Sequence, residues 1–224
     1  MPAAAEARRG RLSRPQDRPR VLRVPGRLTP IEIHSPAATD SVAPVSSSGD
    51  PISEINEFIG LWEHESGVTA QLLRTLPANQ LDFRPDPRGR SLSELAWHLA
   101  EIEAIMSTIA AQRNFRVAPP PGLERPATAD AIADGYVRMH GEAVERVRRI
   151  APADLGVEFP FVLGNTIAVR QVLRFPLLHH HIHHRGQLMM LIRMAGGVPT
   201  RVYGPNREDD AAVQREIEKG AAPR

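Results

Sequence analysis

The sequence predicts an all-α protein, a four-helix bundle that follows a disordered N-terminal tail. Four long segments carry apolar residues at helical spacing, and the best strand-like alternation, at residues 157–162, is short. All aromatic residues lie between Phe58 and Tyr203, which places the core in that interval. No helix can bury an apolar stripe alone, so the four helices must pack against one another.

The first two predicted helices flank a turn-rich connection. The first has Ser53 as its N-cap and ends before Pro77. Its apolar face consists of Ile55, Phe58, Ile59, Trp62, Leu72, Leu73 and Leu76. Prolines and a glycine interrupt residues 77–90. The second helix opens on a capping box, Ser91 with Glu94. Its apolar face consists of Leu92, Leu95, Leu99, Ile102, Met106 and Ile109.

The third and fourth predicted helices follow a second proline-rich break. Thr128 caps the third helix, whose apolar face consists of Ile132, Tyr136, Met139, Ala143 and Val147. Thr166 opens the fourth helix, which runs to Ala195 and stops at the glycine pair that follows. Pro176 lies inside this helix and predicts a kink, because proline cannot donate a backbone hydrogen bond.

Residues 1–51 differ in composition from the rest of the chain. They hold eight of the 21 prolines and no aromatic residue. Such a segment cannot bury enough apolar surface to offset its ordering entropy, so we predict a disordered tail. The tail carries eight arginines and five acidic residues, whereas the remaining 173 residues carry 20 basic and 21 acidic ones. The predicted bundle is nearly neutral, which argues against a nucleic-acid partner.

Composition also excludes several classes of site. The chain has no cysteine, which rules out disulfides, thiolate metal sites and cysteine nucleophiles. No apolar run approaches the roughly 18 residues of a membrane helix, so we expect no membrane partner. A chain without disulfides fits a reducing compartment, and we expect a cytoplasmic protein. Any metal ion must be held by His, Asp or Glu.

Five of the nine histidines lie between His179 and His184. Residues four apart stand above one another on a helix, so two pairs can point both imidazoles at one cation. One pair is His180 with His184, and the other is His179 with His183. The first pair continues an apolar stripe, which predicts that it faces inward. That stripe consists of Leu177, His180, His184, Leu188 and Leu191.

A metal site needs a third ligand from another helix, and His98 is the best candidate. It borders the apolar stripe of the second helix, about one helical step from Leu95 and Ile102. Three histidines leave at least one coordination position for water or substrate, which is typical of catalytic rather than structural metal sites. Such an ion can lower the pKa of bound water or polarise a bound thiol.

The C-terminal part of the predicted bundle resembles the signature of the DinB family, metal-dependent four-helix-bundle proteins (DinB/YfiT-like). The resemblance rests on HHIHHRGQL at residues 180–188, LIR at 191–193, VP at 198–199 and YGP at 203–205. A looser upstream match includes LP at 76–77, FRP at 83–85, SL at 91–92 and HL at 98–99. It covers residues 52–206, which we assign to the bundle, and leaves residues 207–224 as a C-terminal tail that can hold a short helix.

The resemblance implies one divalent ion, bound by His98, His180 and His184. Imidazole suits Zn, Ni, Fe and Mn, so the metal stays open. It also implies a small-molecule substrate, such as a low-molecular-weight thiol, and a homodimer. Trp62 and Trp97, near predicted helix edges, are candidates for the subunit contact.

Several neighbouring residues are weaker functional candidates. Arg185 is a candidate for an interhelical salt bridge. Gln187 is a candidate for a hydrogen bond to a metal ligand. Gly186 is expected to permit close helix approach. Candidate bases near the metal are Glu101, Glu103 and His64.

Two functions of different class follow from these residues. The first is a metal-dependent hydrolase or thiol-dependent transferase with an open coordination position. The second is a noncatalytic protein that binds a metal or small ligand in a stress or DNA-damage response. An exchangeable ligand position in a cleft favours the first, and a fourth protein ligand favours the second.

Overall fold

The computed structural model describes residues 51–221. The predicted disordered tail lies outside these residues, except for Pro51. Three helices come first: α1 (Pro51–Leu73), α2 (Leu92–Gln112) and α3 (Ala129–Arg148). The fourth helix is continuous but has three parts: α4 (Val169–Val172), a π-helical segment (Leu173–His179) and α5 (His180–Met194). These helices form the predicted four-helix bundle.

Shorter elements occupy the connections between the helices. Four single turns of 3₁₀ helix cover Ala78–Gln80, Pro152–Gly156, Val162–Gly164 and Arg207–Asp209. A final helix, α6 (Asp210–Ala221), lies within the segment that the sequence assigns to a C-terminal tail. No helix among residues 51–221 is both long and apolar enough to cross a lipid bilayer.

Local side-chain hydrogen bonds start two of the helices as predicted. Ser91 Oγ accepts from the backbone N–H of Glu94, whose carboxylate accepts from the Ser91 N–H, completing the capping box of α2. Thr128 caps α3 by accepting from the Ala131 N–H. The N-cap role predicted for Ser53 is wrong, because α1 already begins at Pro51 and Ser53 Oγ instead donates to Glu57.

A short hairpin precedes the fourth helix. Strand β1 (Glu158–Pro160) pairs antiparallel with β2 (Thr166–Ala168), with Phe159 opposite Ile167. The prediction that Thr166 opens the fourth helix is therefore wrong, since the helix begins at Val169. The β-branched Thr and Ile of β2 suit an extended strand, and the inward Phe159 and Ala168 anchor the pair to the core.

The hydrogen-bond pattern of the fourth helix changes around Pro176. Proline has no N–H to continue the α-helical pattern, and residues Leu173–His179 adopt π-helical hydrogen bonding. Regular α-helix resumes at His180, directly before the histidine-rich face of α5. The helix ends as predicted, because Gly196 adopts a φ of 82° that glycine tolerates without a Cβ clash.

The core consists of two apolar clusters with a layer of polar side chains between them. One cluster surrounds Trp62, Ile109, Val147 and Leu173. The other surrounds Leu72, Leu99, Tyr136 and Leu188. The polar layer consists of Glu65, Ser66, Thr69, Glu103, Ser107, His140, His181 and Arg185. Except for the partly buried His140, all of these are buried.

A close contact between α2 and α3 gives a testable consequence of this packing. A Cβ at Gly135 would lie 2.9 Å from the Trp97 ring, which is 1% exposed and fixed by a hydrogen bond from Nε1 to the Leu123 carbonyl. We expect Gly135→Ala to lower the free energy of unfolding by about 1–2 kcal/mol, since overpacking exceeds the gain in helix propensity. Urea denaturation measures the difference.

Gly141→Ala is the matched control, because it lies in the same helix and a Cβ there meets no atom within 4 Å. We expect it to stabilise the protein by about 0.5–1 kcal/mol. Equal effects of the two substitutions would contradict the close contact.

Candidate metal centre

His98 on α2 and His180 and His184 on α5 form one cluster. One ring nitrogen from each lies within 4.8 Å of the others. The ring centroid of His98 lies 4.9 Å from that of His184 and 5.8 Å from that of His180. Among residues 51–221, no other group of three His, Asp or Glu side chains converges in this way. We call these three residues the histidine triad.

Hydrogen bonds fix two rings of the triad, those of His98 and His184, in a metal-binding tautomer. His98 Nδ1 lies 2.9 Å from Oε2 of Glu101, a carboxylate that only accepts, so Nδ1 carries the proton. His184 Nδ1 likewise donates to Oε1 of Gln187, at 2.7 Å. The Nε2 atoms of His98 and His184 are therefore unprotonated, and their lone pairs can accept a proton or bind a cation. This arrangement, in which a second residue orients a metal-binding imidazole, is general in metal sites.

The dimensions of the triad also fit a divalent ion. The Nε2 atoms of His180 and His184 lie 2.8 Å apart, a separation that needs a proton or cation between them because two lone pairs would repel. Two nitrogens bound tetrahedrally to one zinc ion at about 2.0–2.1 Å lie about 3.4 Å apart. The observed 2.8 Å is shorter than this value and all three nitrogens lie within 4.8 Å of one another, so small rotations of the rings bring them to metal-binding distances. Imidazole nitrogen is a common ligand of divalent metals.

Burial keeps two of the rings uncharged. It lowers the pKa of His184 to about 4, helped by the nearby His180 and His98 and opposed by the hydrogen bond to Gln187. Burial and the neighbouring His98 also lower the pKa of His180. Neutral imidazole is the form that binds metal, so the site is prepared for a cation at neutral pH.

The orientation of α5 differs from the prediction. His180 and His184 lie at the border of the buried face and are only partly buried, whereas His181 and Arg185 face the core at 0% and 1% exposure. The predicted inward stripe is therefore confirmed at Leu177, Leu188 and Leu191, which are buried, and wrong at His180 and His184. The physical reason is that His181 and Arg185 have polar partners inside the bundle, so polar side chains occupy positions that hydropathy assigns to apolar ones.

Arg185 forms the interhelical salt bridge that the sequence suggests. Its Nη2 lies 2.5 Å from Oε2 of Glu65, and its Nη1 donates to the Glu65 carbonyl at 2.9 Å and to Thr69 Oγ1 at 3.2 Å. Tyr203, after α5, donates to the same Glu65 carboxylate at 2.8 Å. These bonds join α5 to α1 and set the rotation of α5 about its axis.

Glu103 is the centre of the polar layer. Its carboxylate accepts from Trp62 Nε1 at 3.1 Å, Tyr136 Oη at 2.9 Å and His140 Nδ1 at 2.7 Å. Burial alone raises the pKa of Glu103, but the hydrogen bonds from His140 and Tyr136 outweigh it, and the pKa lies below its usual range. Glu103 is thus a buried anion that joins α1, α2 and α3, and its role as a base near the metal is not supported.

His181 lies between Glu103 and Thr69. Its Nε2 shares a 2.8 Å hydrogen bond with Thr69 Oγ1. Its Nδ1 lies 3.2 Å from Oε1 of Glu103, but the angles do not suit a hydrogen bond, so this nitrogen has no partner of that kind. Burial lowers the pKa of His181 to about 4, against the attraction of Glu103. His181 is therefore a neutral core residue, separate from the triad.

The remaining candidates divide clearly. Glu101 and Gln187 contact the triad, as described above. His64, His179 and His183 are exposed. Gly186 has no atom within 4 Å of an added Cβ, so the predicted close approach there is wrong. Trp62 and Trp97 are 0% and 1% exposed, so neither offers a surface for a subunit contact.

Comparison with known proteins agrees with the signature in the sequence. The profile of the DinB family matches residues 52–219. The chain belongs to the DinB family. The match extends through most of α6 and covers the whole bundle.

Relatives of this DinB protein include an uncharacterized protein of Bacillus subtilis (strain 168), YrdA. The two are 28% identical over 165 residues, which is 74% of this chain and 97% of YrdA. A crystal structure of a DinB-like protein from Bacillus cereus ATCC 10987 matches with a TM-score of 0.55 and 28% identity, over 66% of this chain and 97% of that one. A DinB-like protein from Bacillus subtilis, YjoA, shares the fold at 18% identity, with a TM-score of 0.52, over 67% of this chain and 96% of that one.

The buried charge of Glu103 leads to a stability prediction. Glu103→Gln removes the anion that three donors share, and we expect a loss of about 3 kcal/mol at pH 7. The folded pKa lies below the unfolded value of about 4.3, so the stabilisation is complete above that value and disappears as pH falls through the folded pKa. Urea denaturation between pH 7 and pH 3 measures the difference between wild type and variant.

Glu142→Gln is the control, since Glu142 forms only a surface ion pair with Arg138. We expect it to change stability by less than about 0.5 kcal/mol. A Glu103→Gln effect that does not vary with pH would contradict the buried anion.

Proposed function

We propose that this DinB protein binds one divalent metal ion through His98, His180 and His184 and acts as a metal-dependent hydrolase or a thiol-dependent transferase. The observation that carries the proposal is the convergence of three imidazole nitrogens from two helices within 4.8 Å. The Nδ1–H tautomers imposed by Glu101 and Gln187 support it, because each leaves Nε2 available. A cytoplasmic location of the protein is part of this proposal.

An open coordination position supports catalysis over a purely structural ion. No fourth His, Asp or Glu joins the triad among the described residues, and structural zinc sites have four protein ligands. A bound ion would supply a Lewis acid that lowers the pKa of coordinated water or thiol. His98, His180 and His184 would hold the ion, while Glu101 and Gln187 keep the rings of His98 and His184 in the required orientation.

The thiol-dependent reaction has specific support over hydrolysis. Glu103 is enclosed in the polar layer, and Glu101 is held through Oε2 in the role of orienting His98, so among the described residues no carboxylate contacts the triad as a dedicated base for water. A thiol needs less help, because its unperturbed pKa of about 8.5 is far closer to neutrality than that of water. We therefore favour a low-molecular-weight thiol as one of the small-molecule substrates.

The alternative is a noncatalytic protein that stores or senses a metal or small ligand in a stress or DNA-damage response. Cobalt substitution separates the two functions. The chain has no cysteine, so a thiolate-to-cobalt charge-transfer band after addition of a thiol can only come from the added molecule. Glutathione and cysteine are suitable probes. A band supports the open position, and tight cobalt binding without any band favours the noncatalytic function.

Substitution of the triad tests metal binding directly. We expect the wild-type protein to retain about one equivalent of zinc or nickel after dialysis, and His98→Ala, His180→Ala and His184→Ala each to lose it, because two imidazoles hold an ion far more weakly than three. Elemental analysis measures the metal content. His179→Ala is the control, since His179 lies exposed on the same helix. One full equivalent of metal retained by a variant that carries all three substitutions would refute the proposal.

The residues that orient the triad provide a finer test. We expect Gln187→Ala and Glu101→Ala to weaken zinc binding by about 10–100-fold, because each leaves its histidine free to rotate and change tautomer. Competition with a chelator measures the dissociation constant. The exposed Glu57→Ala, which removes a surface carboxylate from α1, should leave it unchanged. Unaltered zinc affinity in both variants would show that these hydrogen bonds do not prepare the site.

A further inference from the structure

A groove runs along the seam between α2 and α5, next to the histidine triad. We call it the seam groove. It has a cavity volume of about 370 Å³ and is lined by Pro85, Arg90, Leu95, Gln187, Met190 and Met194. This volume lies in the range of small-molecule sites, which are mostly apolar with a few polar groups.

The seam groove adjoins the triad through one shared side chain. Gln187, which accepts from His184, forms part of its wall. On the other side, Leu95 lies one helical turn before His98. Met194 lies ten residues beyond His184, which corresponds to about 15 Å of helix. The groove therefore lies beside the triad, toward the C-terminal end of α5.

The apolar wall of the groove is unusually exposed. Met190 and Met194 are 57% and 56% exposed, and both side chains face the groove. Methionine is flexible and polarizable, and it adapts to apolar ligands of different shape. These two side chains favour an apolar ligand segment.

Arg90 adds one positive charge to this otherwise apolar surface. It is exposed and forms no hydrogen bond or ion pair with any residue in the part of the chain that the structure describes. Two other arginines of the same connection are paired: Arg84 with Glu94 at 2.9 Å and Arg88 with Asp86 at 2.9 Å. An unpaired guanidinium in a concave apolar site is suited to a carboxylate, sulfonate or phosphate group.

We propose that the seam groove is the substrate site of the triad and binds a small molecule that joins an anionic group, held by Arg90, to an apolar chain along Met190 and Met194. The assignment of the groove as a substrate site rests on the proposed function. It goes further because it specifies the chemistry of the second substrate beside the thiol.

Methionine methyl NMR of the full-length, metal-free protein tests the groove. The probe is 1-octanesulfonate, an anion that coordinates metals weakly, and 1-octanol is its neutral counterpart. We expect octanesulfonate to shift the methyl signals of Met190 and Met194 but not that of Met139, which is 0% exposed in the core. Butanesulfonate should bind more weakly, because it buries less apolar surface.

Charge variants identify the anion contact. We expect Arg90→Gln to weaken octanesulfonate binding about tenfold, the size of one charge-assisted contact, and to leave octanol binding within about twofold. Arg88→Gln removes the same charge from the same connection but does not line the groove, so it should have no effect beyond about twofold. Equal weakening by the two variants, or octanol binding as tightly as octanesulfonate, would overturn the proposal.

The two proposals fail separately. The groove is probed without metal, so absence of octanesulfonate shifts at Met190 and Met194 overturns the groove and leaves zinc retention by the triad unaffected. If the triad does not retain zinc, octanesulfonate binding should still be intact, and the groove would then be a ligand site without a reaction.

Discussion

The rotation of α5 about its own axis is the constraint on which the candidate site depends. Arg185 bonded to Glu65, and His181 bonded to Thr69, fix one face of α5 in the interior of the bundle. Successive residues turn by about 100°, so His180 and His184 must then lie at the border of that face, beside α2. His98 meets them there. A modest rotation of α5 would separate the three rings without changing any helix boundary.

Much of this arrangement could be predicted from the sequence because it follows from local signals. The capping box at Ser91, the glycine after α5 and the i, i+4 spacing of His180 and His184 each depend on a few neighbouring residues. The choice of His98 required only that it border the stripe of α2. These signals identified the triad but not the direction in which it faces.

The errors in the orientation of α5 and in the role of Glu103 come from the polar layer. The apolar stripes of α1, α2 and α5 contain polar residues at core spacing: Glu65 and Thr69 between Trp62 and Leu72, Glu103 after Leu99, and His181 and Arg185 before Leu188. Each of them is costly to bury alone, and only their mutual contacts make burial favourable. Such contacts join helices far apart in sequence, so hydropathy applied to one helix could not reveal them. Strand β2, which begins at Thr166, could not be predicted for a similar reason, since it forms only by pairing with β1.

In the proposed metal centre, imidazole nitrogens from two helices bind the metal ion, and X-ray absorption spectroscopy of the zinc-loaded protein tests this most directly. We expect three imidazole nitrogens at about 2.0–2.1 Å, with the remaining coordination completed by solvent oxygen. His98→Ala should lower the imidazole number by one. A first shell of oxygen alone, or an imidazole count that is the same in wild type and His98→Ala, would contradict the account.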